Sequence, residues 1–312
     1  MKKLLLPLMI ILGINVAFAE APASLVTTND KIADVKTTLR PPKPLLWKVS
    51  DANNSLYLLG SFHMLKETDY PLAKSTDLAF DDAEQLVFEL SPEEMNNPAL
   101  GQKMAQAATR TDGKTLQQSL SPETWKKFEA YATKNNLPVA NFQGFEPWFV
   151  GLILNVTEMQ KIGLKPALGL DKYFMDRAAK AGKSAKGLET GDSQIAIFDG
   201  MSAKQQEQFL DDALNESAEM KAKIEALHSA WRNADDKTLF NKMAAEMRKE
   251  YPELYESINP ARNKIWLPKL EALLKDNDKD DVLIVVGALH LIGDDGVIKM
   301  LADKGYKVER MK

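Results

Sequence analysis

The feature that most constrains this chain is a segment that occurs twice: an apolar strand running straight into Gly-x-x-His, first as SLYLLGSFHML and again as VLIVVGALHLI. The copies contain Gly60 and His63, then Gly287 and His290, and so account for two of the three histidines among 312 residues. A repeated strand-to-loop setting is a way to bring both rings to one place. Imidazole is the commonest side-chain metal ligand and the usual acid or base near neutral pH. Glycine three residues before each histidine lets the backbone turn tightly or a ligand approach closely.

The surrounding pattern predicts the rest of the sheet. LLWKVS and SLYLLGS flank the turn-rich Asp51-Ala52-Asn53-Asn54 and read as a β-hairpin. From Pro71 a helical pattern (Leu72, Leu78, Ala79, Ala83) leads into the strand QLVFEL, which ends at Glu89 and Leu90. Ser-Pro-Glu at Ser91 and at Ser121 supplies a cap, a proline at the first helical position and an acid in the first turn, so a helix starts at each. The apolar run Trp148 to Val156 is too short to span a bilayer and reads as a buried helix. GLDKYFMDRAAKAGK is an amphipathic helix stopped by Gly182, and SAKGLET a strand ending at Glu189. Residues 202 to 250 read as one or two long polar helices with Leu210, Leu214, Ile224 and Leu227 inside. A helix from Pro260 to Leu274, the strand DVLIVVGA, His290 in a loop, the helix GVIKMLADKG and the strand YKVERM complete the chain. The expected class is α/β, with a mixed, partly parallel sheet, flanking helices and a large helical middle section. The paired Gly-x-x-His segments suggest two related halves.

The first residues carry a separate signal. Lys2 and Lys3, the apolar Leu4 to Val16, and Ala17-Phe18-Ala19 make a signal peptide over 1–19, with cleavage expected before Glu20. Its apolar run is about 13 residues, against the roughly 20 of a spanning helix, which predicts a soluble exported protein in the periplasm or beyond. An extended lead-in covers 20–43 and the α/β domain 44–312, with helical insertions at roughly 91–180 and 202–275. The absence of cysteine rules out disulfides and thiolate chemistry. Loss of Lys2 and Lys3 leaves 38 of 40 basic residues against 44 acidic ones, which argues against a nucleic-acid partner.

Four predicted strands thus end in or just before a group that binds metal or moves protons: His63, Glu89, Glu189 and His290. The carboxyl edge of an open α/β sheet is where ligands bind. Two imidazoles with one or two carboxylates suit a divalent transition metal, whose bound water becomes nucleophilic at neutral pH. Asn259-Pro260-Ala261-Arg262-Asn263 opens a helix from which Arg262 can stabilise an oxyanion and Asn263 orient substrate. Each residue also has a structural reading: a hydrogen-bonded loop histidine, a helix-start or solvent-facing acid, a salt-bridge arginine. His228, in KIEALHSAW, reads as structural or solvated.

In LWKVSDANNSLYLLGSFHML, QLVFEL, the GLD and GLET segments with Gln194 following, ARNKIW and VVGALHLIGDDGVIKMLADKGYKV, the chain resembles the TraB/GumN family, which is related to the Tiki metalloproteases. The resemblance implies a fold like that of erythromycin esterases and ChaN-like haem-binding lipoproteins, and a site made of the two Gly-x-x-His motifs and a glutamate. It implies His63 and His290 as metal ligands, Glu89 as ligand or base, Arg262 and Asn263 in support, and Glu189 in a less defined role that we assign to the metal. Tiki-like relatives are metal-dependent peptidases that prefer manganese or cobalt; for this chain manganese, cobalt, zinc and iron all stay open. The leading expectation is an exported metal-dependent hydrolase acting on a peptide or protein. A haem- or metal-binding protein without hydrolysis, and a noncatalytic accessory in envelope or polysaccharide assembly, are the alternatives.

Overall fold

The computed structural model describes residues 40–214, 217–275 and 280–312. The expected signal peptide, and the lead-in up to residue 39, lie outside them. β1 (Leu46–Ser50) and β2 (Ser55–Ser61) form the expected hairpin, paired antiparallel from Leu46↔Leu59 to Ser50↔Ser55. Asp51 closes its turn by accepting the Asn53 and Asn54 amides. α1 (Lys74–Asp82) then leads into β3 (Gln85–Phe88). It buries Thr76, Ala79 and Phe80, so Leu78, placed in the inner stripe by the sequence pattern, is instead exposed.

The helical middle starts where its caps require. The Ser91 hydroxyl accepts the Glu94 amide and opens a single turn, Pro92–Met95. After α2 (Pro98–Ala108), the Ser121 hydroxyl accepts the Thr124 amide and opens α3 (Pro122–Lys134). α4 (Pro147–Lys161) is the apolar helix, with Trp148, Val150 and Leu154 fully buried. α5 (Leu170–Ala181) ends at Gly182, whose left-handed backbone (φ 69°) closes the C-terminus without steric cost. β4 (Ser184–Gly187) follows, then α6 (Gly191–Asp199), α7 (Ala203–Ala213) and α8 (Ser217–Arg232). The one or two long helices expected over 202–250 are therefore broken into shorter pieces. Ala234 takes a positive φ of 54°, and Asp235 restarts the helix by capping the Thr238 amide of Asp236–Phe240. Leu210, Leu214, Ile224 and Leu227 are all buried, as the stripe predicted.

α9 (Pro260–Lys275), β5 (Val282–Gly287), α10 (Val297–Asp303) and β6 (Lys307–Arg310) complete the fold. His290 lies not in an open loop but in one helical turn, Ala288–Leu291, packed directly beyond β5.

The six strands form one sheet in the order β4-β3-β5-β2-β1-β6. β4, β3, β5 and β2 are mutually parallel, while β1 pairs antiparallel with both β2 and β6. β2 and β5 are buried along their whole length, as parallel strands covered on both faces must be. Each of Val282 to Val286 contributes about 1.5–3 kcal/mol by leaving water. The two histidine-bearing strands are neighbours, with Ser61 opposite Gly287. Gly60 is needed for packing rather than for a turn: a Cβ there would lie 3.0 Å from Leu45 Cβ and 3.2 Å from Ala288 Cα. A second apolar cluster, including Trp125, Phe128, Leu154 and Leu210, ties α3, α4 and α7 together. Among the described residues no helix is long and apolar enough to cross a membrane.

Candidate metal centre

Four parallel strands end on one edge, and the residues just beyond them are His63, Glu89, Glu189 and His290. Glu89 follows β3 immediately and is buried, 3 % exposed. Its Oε1 accepts the Gly287 amide at 2.8 Å, which ties β3 to the last residue of β5. The same oxygen lies 3.8 Å from His63 Nε2 and 4.0 Å from His290 Nε2. Both imidazoles therefore face a single carboxylate oxygen.

Each ring is fixed through its other nitrogen. His63 Nδ1 lies 2.6 Å from Asp171 Oδ2, which also accepts the Ser61 hydroxyl at 2.6 Å. Asp171 reaches the site because it sits in the first turn of α5, while the preceding Gly169 packs against the His63 carbonyl so closely that a Cβ would collide with it. His290 Nδ1 lies 2.7 Å from Asn263 Oδ1. The Asn263 amide nitrogen is spent on the Asp295 and His290 carbonyls, so its oxygen is the acceptor and His290 Nδ1 the donor. The lone pair of His290 is thereby left on Nε2. His63 Nε2 is buried and makes no hydrogen bond.

Arg262 stands across the site on α9, its guanidinium 5.0 Å from the ring centroid of Trp266, which packs in turn against His290. Its Nε donates to Glu189 Oε2 at 3.0 Å, and Nη2 donates to Glu189 Oε1 and, at 2.7 Å, to Glu89 Oε2. Nη1 donates to the Ile258 carbonyl at 3.0 Å and to His290 Nε2 at 2.9 Å. A guanidinium has five N–H groups, and all five are used. Gln194, fully buried, donates to Glu189 Oε1 at 2.6 Å and to Glu89 Oε2 at 3.2 Å. Both oxygens of Glu189 are thus held by the guanidinium.

Burial pushes Glu89 up, against the pull of Arg262 and His63, so its carboxyl lies above the ordinary carboxylate range. For His63 burial works downward, but Asp171 outweighs it and the ring is raised to about 9. Asp171 is conversely held below its usual range: burial raises it, and the His63 and Ser61 contacts lower it further than that. Counting formal charges, the carboxylates of Glu89, Glu189 and Asp171 face the Arg262 guanidinium and the protonated His63, an excess of one negative charge in a buried space that becomes two when His63 gives up its proton.

Comparison with known proteins identifies the family. The model of the TraB/PrgY/gumN family matches residues 45–310. The chain belongs to that family. Among its relatives in the TraB/PrgY/gumN family, the uncharacterized protein YbaP of Escherichia coli (strain K12) is 25% identical over 253 residues, which cover 80% of this chain and 88% of YbaP. YbaP of Shigella flexneri matches to the same extent. No solved structure matches.

For this TraB/PrgY/gumN chain the structure brings His63, Glu89, Glu189, Arg262, Asn263 and His290, the six residues named from the sequence, into one cluster. The sequence did not assign Asp171, Ser61 or the bridging role of Gln194; the only trace was the GLD and GLET segments that carried the resemblance. Asn263 makes its polar contacts with His290 and the Asp295 carbonyl, so it positions the ring. His228, read as structural or solvated, is buried and paired with Asp69 at 2.7 Å, and Asp69 also takes Arg232 and the Lys66 amide. That group braces the loop running from His63, with Trp231 donating to the Gly60 carbonyl at 3.0 Å.

Proposed function

We propose that this protein is an exported metal-dependent hydrolase acting on peptides. The reading rests on one observation: two imidazole Nε2 atoms face the same Glu89 oxygen, and each ring is anchored through Nδ1 by a polar partner. Histidines that bind metal are held in this way, with the outer nitrogen donating to a carboxylate or carbonyl oxygen. The donors fit a divalent ion chemically: two imidazoles and a carboxylate suit manganese, cobalt, zinc and iron alike. The charge fits too, because a dication would balance the two excess negative charges left once His63 gives up its proton. The two imidazole Nε2 atoms stand 3.8 and 4.0 Å from Glu89 Oε1, a few tenths of an ångström wider than the roughly 3.4 Å between ligands bonded at about 2.1 Å to a tetrahedral ion, and among the described residues no group of three or more such side chains, this one included, stands in an ion-holding arrangement.

His63 Nε2, His290 Nε2 and Glu89 Oε1 would hold the ion, while Glu189 anchors Arg262. When bound, the ion would supply Lewis acidity, polarising the scissile carbonyl and acidifying a water. Asp171 and Asn263 keep both Nε2 atoms aimed inward. Arg262 puts a buried positive charge beside the carbonyl oxygen as negative charge develops there. Because His63 is raised to about 9, ion uptake must displace its proton, and affinity rises with pH.

Untagged protein purified without chelators should contain one metal ion per chain and cleave members of a diverse peptide library, with His63→Ala abolishing both. A His63→Ala protein that keeps full metal content and activity overturns the assignment. For export, the mature chain isolated from the periplasm should begin at Glu20 by mass spectrometry.

A further inference from the structure

The atom that the second histidine would offer to a metal is already engaged. An imidazole nitrogen has one lone pair, in the ring plane, and that of His290 Nε2 accepts Arg262 Nη1 at 2.9 Å. The same guanidinium covers Glu89 Oε2 at 2.7 Å. Arg262 is 4 % exposed, so neither solvent nor salt screens its charge from the space between the two histidines. Its hold on that space does not depend on His290, because Nε and Nη2 grip Glu189 and Nη1 also grips the Ile258 carbonyl.

We propose that Arg262 is a built-in competitor for the divalent ion, capping His290 Nε2 and countering the Glu89 charge until the ion takes both over. This rests on the hydrolase reading above and adds how its centre is regulated. Loading exchanges one N–H bond to His290 for a metal bond, while the Glu189 and Ile258 contacts keep the arginine in place. The spacing agrees: Glu89 Oε1 stands 3.8 Å from His63 Nε2 and 4.0 Å from His290 Nε2, wider than the roughly 3.4 Å between ligands of one tetrahedral ion, and release of His290 from the guanidinium frees its ring to approach. The penalty is common to all ions, so weakly held ones are excluded and those with strong imidazole affinity still load.

The test is cobalt binding to the metal-stripped full chain, followed by calorimetry and by the visible absorption of bound Co2+, for wild type, Arg262→Met and Arg262→Lys. Methionine matches the length of the side chain without charge or donors. Lysine keeps the charge but, as a single point donor, cannot bridge Glu189, Glu89 and His290 together. The Kd for Co2+ should tighten at least tenfold in Arg262→Met and at least threefold in Arg262→Lys, in each case lost on adding His290→Ala. If Arg262→Met does not fold, the lysine variant carries the comparison. Equal or weaker binding by the variants, beside a wild type that binds Co2+ through His63, overturns the competitor and leaves the hydrolase reading standing. No His63-dependent binding by any of the three proteins overturns both.

Discussion

Asp171→Asn isolates the contact that holds His63. In the native chain the carboxylate lies 2.6 Å from His63 Nδ1 and takes the Ser61 hydroxyl on the same oxygen. The substitution keeps the shape and removes the charge. Without that charge burial dominates and pulls His63 down, so the ring is neutral at pH 7. The native ring is raised from 6.5 to about 9, and at about 1.4 kcal/mol per pH unit this amounts to about 3 kcal/mol. A group raised on folding stabilises fully below its unfolded value and loses that contribution as pH rises through its folded value. The metal-free native chain should therefore be about 3 kcal/mol more stable than Asp171→Asn at pH 6, and the gap should narrow steadily between pH 6.5 and 9. Urea denaturation of both proteins from pH 6 to pH 10 measures it directly. At pH 10, where the native His63 has also lost its proton, metal affinity should be about 10- to 100-fold lower in the same variant, the usual cost of losing an outer hydrogen-bond partner. A gap that is absent at pH 6, or constant to pH 10, would refute the coupling of His63 to Asp171.

Three further outcomes are expected. Asp69→Asn breaks a buried cluster with His228 and Arg232 and should cost about 3 kcal/mol by urea denaturation at pH 7. Burial raises Asp69, but its hydrogen bonds from His228, Lys66 and Arg232 lower it overall, so its contribution is present above the ordinary aspartate value near 3.8 and is lost as pH falls further. Gly169→Ala should lower thermal stability by about 1–3 kcal/mol and weaken metal binding, because its Cβ meets the His63 carbonyl and must push α5 and Asp171 away; an unchanged melting temperature would contradict that packing. A divalent ion at 100 times its Kd should raise stability by about 2.7 kcal/mol, a gain that excess chelator removes and that His63→Ala never shows.

The parts of this fold that were readable from sequence are those set by local pattern. The hairpin around Asp51–Asn54 and the four strand ends at His63, Glu89, Glu189 and His290 follow from apolar runs and turn residues that lie next to one another in the chain. The supports were not readable, because each is a contact between distant segments. Asp171 meets a histidine 108 residues away, and Gln194 meets Glu89 across 105 residues. No periodicity marks such pairs. The sequence offers Arg262 as a candidate for oxyanion stabilisation or a salt bridge, but the use of all five of its donors depends on how β3, β4 and the turn beyond β5 converge. The break after Arg232 escaped for a different reason: a positive φ at an alanine leaves no sign in composition.

The place of β5 in the sheet has a consequence for the order of folding. Residues 282–287 lie between β3 and β2, yet they come almost last in the chain. Until they arrive, the β1–β2 hairpin and the β3–β4 pair are separate ribbons, each with an open edge where β5 will join. Such long-range pairing makes folding slow. It also makes the centre all-or-none. A nascent or truncated chain can display His63, Glu89 and Glu189 without any framework to align them, and only insertion of the late strand delivers His290 together with the amide that fixes Glu89. Assembly of the cluster is thereby deferred until nearly the whole polypeptide has emerged.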